Sequence, residues 1–148
     1  MINKFILLLS LIMCTYGFSQ TIDYNTKNGY AVQGYDVVSY FDKTPLEGKE
    51  EFFTTFDGVK FKFYNAKNLK RFEESPFKYL PKYGGYCAYA VAVNGKKVNV
   101  DPETYEIRNG KLYLFYNKGK NNTLEFWLDE SPEELRQKAD ENWEHIKN

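Results

Sequence analysis

Two strand-length segments closed by Asp57-Gly58 constrain this chain more than any other feature. Asp-Gly suits a two-residue type I′ turn, in which both central residues take positive φ. On the second arm Val59, Phe61 and Phe63 alternate with Lys60 and Lys62, so one face is apolar and the other solvated. Glu51 to Phe56 supplies the first arm. Asn94-Gly95 and Asn109-Gly110 repeat the turn signal. The apolar run Ala88 to Val93 before Asn94 reads as a core strand, with Val98 to Val100 pairing back. Asp101-Pro102 marks a further turn, Tyr105 to Ile107 a short strand, and Lys111 to Tyr116 a strand with aromatic content. Upstream, Tyr30 to Phe41 reads as extended structure with a bulge or bend at Gly34.

Helical periodicity occurs in two places. Asn65 is placed to cap a short helix from Ala66 to Glu74, with Leu69 and Phe72 on its inner stripe and Pro76 ending it. Near the C-terminus, Leu124, Trp127 and Leu128 have i, i+3, i+4 spacing. Ser131-Pro132-Glu133-Glu134 has the form of a capping box with proline at the first helical position, and Leu135, Ala139, Trp143 and Ile146 continue the stripe. The expected fold class is α+β: a small antiparallel sheet of short hairpin-connected strands, a short central helix and C-terminal helices. No internal repeat or linker divides it.

The chain has 148 residues, enough for one domain with a substantial core. Aromatic residues make up 18%, so much of that core is aromatic. The 20 basic residues balance 20 acidic ones, which leaves no field to attract nucleic acid or an anionic membrane. A base-stacking surface would need a basic groove beside its aromatics.

The first residues read as a targeting segment. Lys4 supplies a positive start, and Phe5 to Met13 is apolar but too short to span a bilayer. Gly17-Phe18-Ser19 places small residues at −3 and −1, so cleavage is expected before Gln20. The division is then residues 1–19 as signal peptide and 20–148 as a single domain, periplasmic or secreted, with no membrane contact after cleavage. A lipid anchor at Cys14 is disfavoured by Met13, where a small residue is wanted. Cleavage leaves Cys87 as the one cysteine of the mature chain, in an oxidising compartment and without an internal disulfide partner.

Cys87 lies in Tyr79 to Val93, a stretch with four tyrosines and the pair Gly84-Gly85. A thiol reacts as the thiolate, which needs a neighbouring cation or helix N-terminus. Lys82, Arg71 and Lys78 are the cations considered. The alternative is a small buried hydrophobe. Tyr79, Tyr83, Tyr86 and Tyr89, with Tyr35 and Tyr40, are candidates to wall a pocket around the sulfur, or else to fill the core. Asp36, between Tyr35 and Val37, can orient a tyrosine, bind a cation or serve as a structural acceptor. His145 falls on the face of its helix away from Trp143, and is expected at the surface. No nucleophile elbow, phosphate loop or zinc-protease motif occurs. The sequon at Asn121 and Thr123 matters only in a eukaryotic secretory pathway.

The segment Asp57-Gly58-Val59-Lys60-Phe61-Lys62-Phe63, followed by Asn65, Phe72, Pro76 and Tyr79, resembles the YHS domain. In metal-associated versions this layout carries a Tyr-His-Ser motif and two cysteines. Here Phe52-Phe53-Thr54, Tyr64 and Asn68 stand in those places, so no metal site of that type is expected. A wider resemblance covers nearly all of the mature chain. Gly34-Tyr35-Asp36-Val37-Val38-Ser39-Tyr40-Phe41, Tyr83-Gly84-Gly85-Tyr86-Cys87-Ala88, Asp101-Pro102, Gly110-Lys111-Leu112-Tyr113-Leu114 and Ala139-Asp140-x-Asn142-Trp143 look like the exported bacterial YHS domain-containing (seleno)proteins. Some members of that family carry selenocysteine where Cys87 stands, which implies a redox or soft-metal role there. The resemblance supplies no reaction and no cofactor.

Three functions stay open on these residues. The first is a thiol redox or ligand-binding protein using Cys87, with Tyr35, Asp36, Tyr83 and Tyr86 as ligand-binding candidates and an external thiol or small ligand as partner. The second is a non-catalytic copper-type metal-binding module. The third is a structural or interaction domain with a buried, inert cysteine.

Overall fold

The computed structural model describes residues 21–148. Residues 1–19, read above as a targeting segment, and Cys14 among them, lie outside the described residues. The fold is α+β, built from short strands, a helix in the middle and helices at the C-terminal end.

Strands β1 (Thr26–Lys27) and β2 (Tyr30–Ala31) pair antiparallel. The segment expected to run extended to Phe41 instead folds into two 3-10 turns, Val32–Gly34 and Ser39–Asp42. Asp36 sets the second of these turns: its Oδ1 accepts from the N–H groups of Val38 (2.9 Å) and Ser39 (3.2 Å). That local bond competes with a ladder. Val32, Val37, Val38 and Tyr40, which read as strand residues, are buried in this coiled segment.

Strands β3 (Lys49–Phe56) and β4 (Val59–Phe63) form the expected hairpin, with Asp57 at φ 51° and Gly58 at φ 77°. Strand β4 also lies beside β2, and that pairing is parallel, so the sheet order is β1-β2-β4-β3 with one parallel neighbour. Helix α1 (Ala66–Glu74) is capped by Asn65, whose side chain accepts from the Asn68 N–H at 2.8 Å. Its Phe72 packs on Phe61 and Phe63, with ring centroids 5.0 and 5.1 Å away. Pro76 ends α1 and also opens a further turn, α2 (Pro76–Tyr79).

The run after Cys87 is a helix, α3 (Ala88–Asn94), and the strand expectation is corrected. A continuous apolar run suits a buried strand or a buried helix equally. Here three alanines favour the helix. Gly95, at φ 59°, ends it as a C-cap, so Asn94-Gly95 is no hairpin turn. Val98 to Val100 consequently forms no strand. Asp101-Pro102 turns as expected, at the start of strand β5 (Asp101–Arg108): Asp101 Oδ1 accepts from the Glu103 N–H at 3.0 Å, and the strand's register shifts between Asp101 and Tyr105. The hairpin of β5 with β6 (Lys111–Phe115) forms as expected around Asn109-Gly110. Strands β7 (Asn117–Lys118) and β8 (Asn121–Asn122) make a small hairpin before α4 (Thr123–Asp129). The last helix, α5 (Pro132–Ile146), starts at Ser131 without the capping bond its sequence suggests.

Two apolar clusters hold these parts together. One lies under the four-stranded sheet and includes Phe61, Phe63, Phe72, Tyr40, Leu112, Leu114 and Cys87. The other lies between α3, α5 and β6 and includes Val91, Tyr113, Phe115, Trp127, Leu135, Ala139 and Trp143. Strand β6 is buried on both faces: Leu112 and Leu114 enter the first cluster, Tyr113 and Phe115 the second. Helix α3 divides in the same way, with Ala90 in the first and Ala88, Val91 and Ala92 in the second.

Candidate functional site

Cys87 sits where these two clusters meet, immediately before α3. Its N–H donates to Val98 O at 2.9 Å, and it bridges Leu114 of β6. The side chain is 0% exposed. It forms part of the floor of a cleft of about 250 Å³, walled by Tyr89, Tyr116 and Phe126, with Asn94 and Asn121 at the rim. Contact with the cleft does not make the sulfur accessible: no part of Cys87 meets solvent, and that burial governs attack on it.

The hydrogen-bond direction at the sulfur follows from proton counting. Thr123 Oγ1 lies 2.7 Å from Tyr116 O and 3.3 Å from Cys87 Sγ. A carbonyl only accepts, so the threonine proton points at Tyr116. Oγ1 is then left to accept from the thiol, and Cys87 is the donor. Tyr116 O also accepts the Thr123 N–H at 2.9 Å, so that carbonyl keeps a partner if the hydroxyl rotates.

Tyr89 is the member of the expected tyrosine ring that does stand at the thiol. Its Oη donates to Glu130 Oε1 at 2.6 Å, and its ring lies 5.8 Å from that of Phe126. The hydrogen bond to Glu130, then partial burial and the carboxylate charge, push its pKa up to about 12. It therefore stays neutral and serves as wall, not base.

The other candidates lie elsewhere. Tyr83 donates to Asp140 Oδ1 at 3.0 Å, within the second cluster; burial, then the Asp140 charge, hold its pKa far above the usual tyrosine value. Tyr86 donates to Asp23 Oδ2 at 3.2 Å, and burial followed by that carboxylate raises its pKa. Tyr79 is buried against Phe41 in the first cluster. Tyr35 stands outside the cleft, bridged to Glu47, and its pKa is raised by burial first and then by Glu103, Glu47 and Asp101. Tyr40 donates to Pro102 O at 2.5 Å.

Asp36 is a buried structural acceptor. Besides the two N–H groups of its own turn, its Oδ2 accepts from Tyr64 N (3.0 Å) and Asn68 Nδ2 (2.7 Å), tying the turn to the end of β4 and to α1. Its lone pairs are spent on four donors, and no cation is among them. The cations considered for the thiol are also occupied: Lys82 pairs with Asp140 at 3.0 Å, Arg71 with Asp42 at 2.7 Å, and Lys78 lies over the Tyr79 ring at 5.1 Å. His145 is exposed. Among the described residues no three His, Cys, Asp or Glu side chains gather as a metal-ligand group.

The Gly84-Gly85 turn, with φ of 60° and 83°, serves the N-terminal segment. A Cβ on Gly84 would fall 2.6 Å from Asp23 O. Asn25 N–H donates to Gly84 O at 2.9 Å, and Asn25 Nδ2 to Gly85 O at 3.2 Å. The glycines thus admit the backbone of that segment.

Tyr116, Thr123 and Phe126 also line the cleft, and the sequence does not mark them. Their signal was weak: Tyr116 ends a strand, Thr123 belongs to a sequon, and Phe126 falls off the apolar stripe of α4. Comparisons of the chain with family models, with curated proteins and with solved structures gave no match.

Proposed function

We propose that the chain is an exported, single-domain binding protein of the YHS-like kind its motifs resemble, and that it takes a small uncharged, ring-sized ligand in the cleft over Cys87. The observation that carries this reading is the aromatic cleft floored by a fully buried, hydrogen-bonded thiol. Tyr89, Tyr116 and Phe126 offer flat apolar walls, and the rim carboxamides of Asn94 and Asn121 offer donors and acceptors for one polar edge. No lysine or arginine lines the cleft, so an anionic ligand has no counter-charge there. A volume of about 250 Å³ lies just below the usual range for small-molecule pockets, which suits one ring more than a cofactor.

Turnover is not part of this reading. Cys87 is the one free cysteine among the described residues, so a disulfide cycle would need an external thiol, and the burial of the sulfur bars its approach. Export rests on the reading of residues 1–19. The test is a screen of ring-sized neutral compounds by two-dimensional NMR. Binders should shift the Tyr89, Thr123 and Phe126 signals, and Phe126→Ala should weaken them. Binders that shift other surfaces and leave these three residues still would sink the assignment.

A further inference from the structure

A second cavity, of about 450 Å³, is lined by Ile22, Tyr24, Phe56, Asp57, Phe77 and Leu80. Three of these six are aromatic and one is a carboxylate. The Phe56 and Phe77 rings meet edge to face, with centroids 5.5 Å apart and planes at 85°. Phe77 is 73% exposed, an unusual position for a phenylalanine that only fills a core. Asp57, at the tip of the β3-β4 hairpin, accepts a hydrogen bond from Tyr24 Oη at 3.1 Å. No ion pair with Asp57 occurs among the described residues; the nearby Lys111 instead has its Nζ 3.5 Å from Phe77 O and does not line the cavity.

Aromatic faces carry negative potential, and several of them around one space bind a cation too large and weakly hydrated to prefer water. A carboxylate at the edge adds attraction and rejects anions. Tyr24 feels that charge: burial first, then Asp57, holds its phenol well above the usual tyrosine pKa. Ile22, Tyr24 and Asp57 also line an adjoining cavity of about 430 Å³ with polar walls at Thr21 and Thr26, which gives room for a polar tail.

We propose that the Tyr24, Phe56, Phe77 and Asp57 cavity binds an organic cation bearing a methylated ammonium group. The site is independent of the cleft at Cys87, and neither assignment depends on the other.

The experiment is an NMR titration of the folded protein with choline, with the neutral carbon isostere of choline in parallel. Choline should move the Tyr24, Phe56 and Phe77 signals and bind about tenfold more tightly than the isostere. Phe77→Ala should weaken choline about tenfold; since Phe77 is largely exposed, the variant keeps its fold. Asp57→Asn preserves the turn, because Asn-Gly serves a type I′ hairpin as well, and should also weaken choline. Cosedimentation with phosphatidylcholine vesicles, lost in Asp57→Asn, would support the same chemistry and assign the cation to a lipid headgroup. Equal affinity for choline and its isostere would overturn the proposal. So would unchanged choline binding in Phe77→Ala, or no binding of choline in either form.

Discussion

The three-centre contact of Cys87, Thr123 and Tyr116 O makes a residue-level prediction. Thr123→Val removes the acceptor of the thiol proton but leaves Tyr116 O its bond from the Thr123 N–H. Urea unfolding should show a loss of about 1 kcal/mol, the net worth of one buried hydrogen bond. Asp36→Asn should cost more, about 2–3 kcal/mol, because four donors lose a charged acceptor and the new amide turns a donor toward them. Tyr89 gives a pH test. Its folded pKa of about 12 lies above the ordinary 10.0. The raised value means that its contribution is complete below pH 10.0 and disappears as pH rises through about 12. Carbon NMR of labelled tyrosine, with the signal assigned by Tyr89→Phe, should find the Tyr89 phenol titrating near 12, and Glu130→Gln should bring it back toward 10.0.

At the scale of elements, sequence legibility followed the source of each element's stability. The hairpins at Asp57-Gly58 and Asn109-Gly110 and the helix capped by Asn65 are set by local chemistry, and they form where expected. Helix α3 reads as a strand in the sequence because its apolar run is buried on most sides and so has no polar face to reveal a period. Once α3 is helical, Gly95 becomes its cap and Asn142 Nδ2 bonds Val91 O and Ala92 O at its end, at 2.9 and 3.2 Å. The turn that Asp36 opens, at Ser39 to Asp42, is anchored by bonds from Asp36 to residues 28 and 32 positions away, which no local pattern shows. The same limit applied at the site. Cys87 and Tyr89 stand out in the sequence, whereas Thr123, 36 positions downstream of Cys87, reaches the sulfur only through the fold. Gly84→Ala tests the turn beside the site. Its Cβ would strike Asp23 O, so a loss of about 2–3 kcal/mol in chemical denaturation is expected.

In the whole molecule, β6 and α3 are shared by both apolar clusters, which binds the sheet half and the helical half into one cooperative unit. Thermal melts followed by far-ultraviolet and near-ultraviolet circular dichroism should therefore coincide; separated transitions would mean that the clusters unfold alone. The cleft over Cys87 and the cavity at Asp57 are lined by different residues, so the two proposed ligands would not compete for a wall. The central claim is that the Cys87 thiol forms a closed floor beneath the cleft. It is tested most directly by the rate of Cys87 alkylation by iodoacetamide at pH 8, in native buffer and in urea. Burial predicts a native rate about 100-fold or more below that of the unfolded chain, rising as urea opens the fold. A native rate within about threefold of the unfolded one would contradict it.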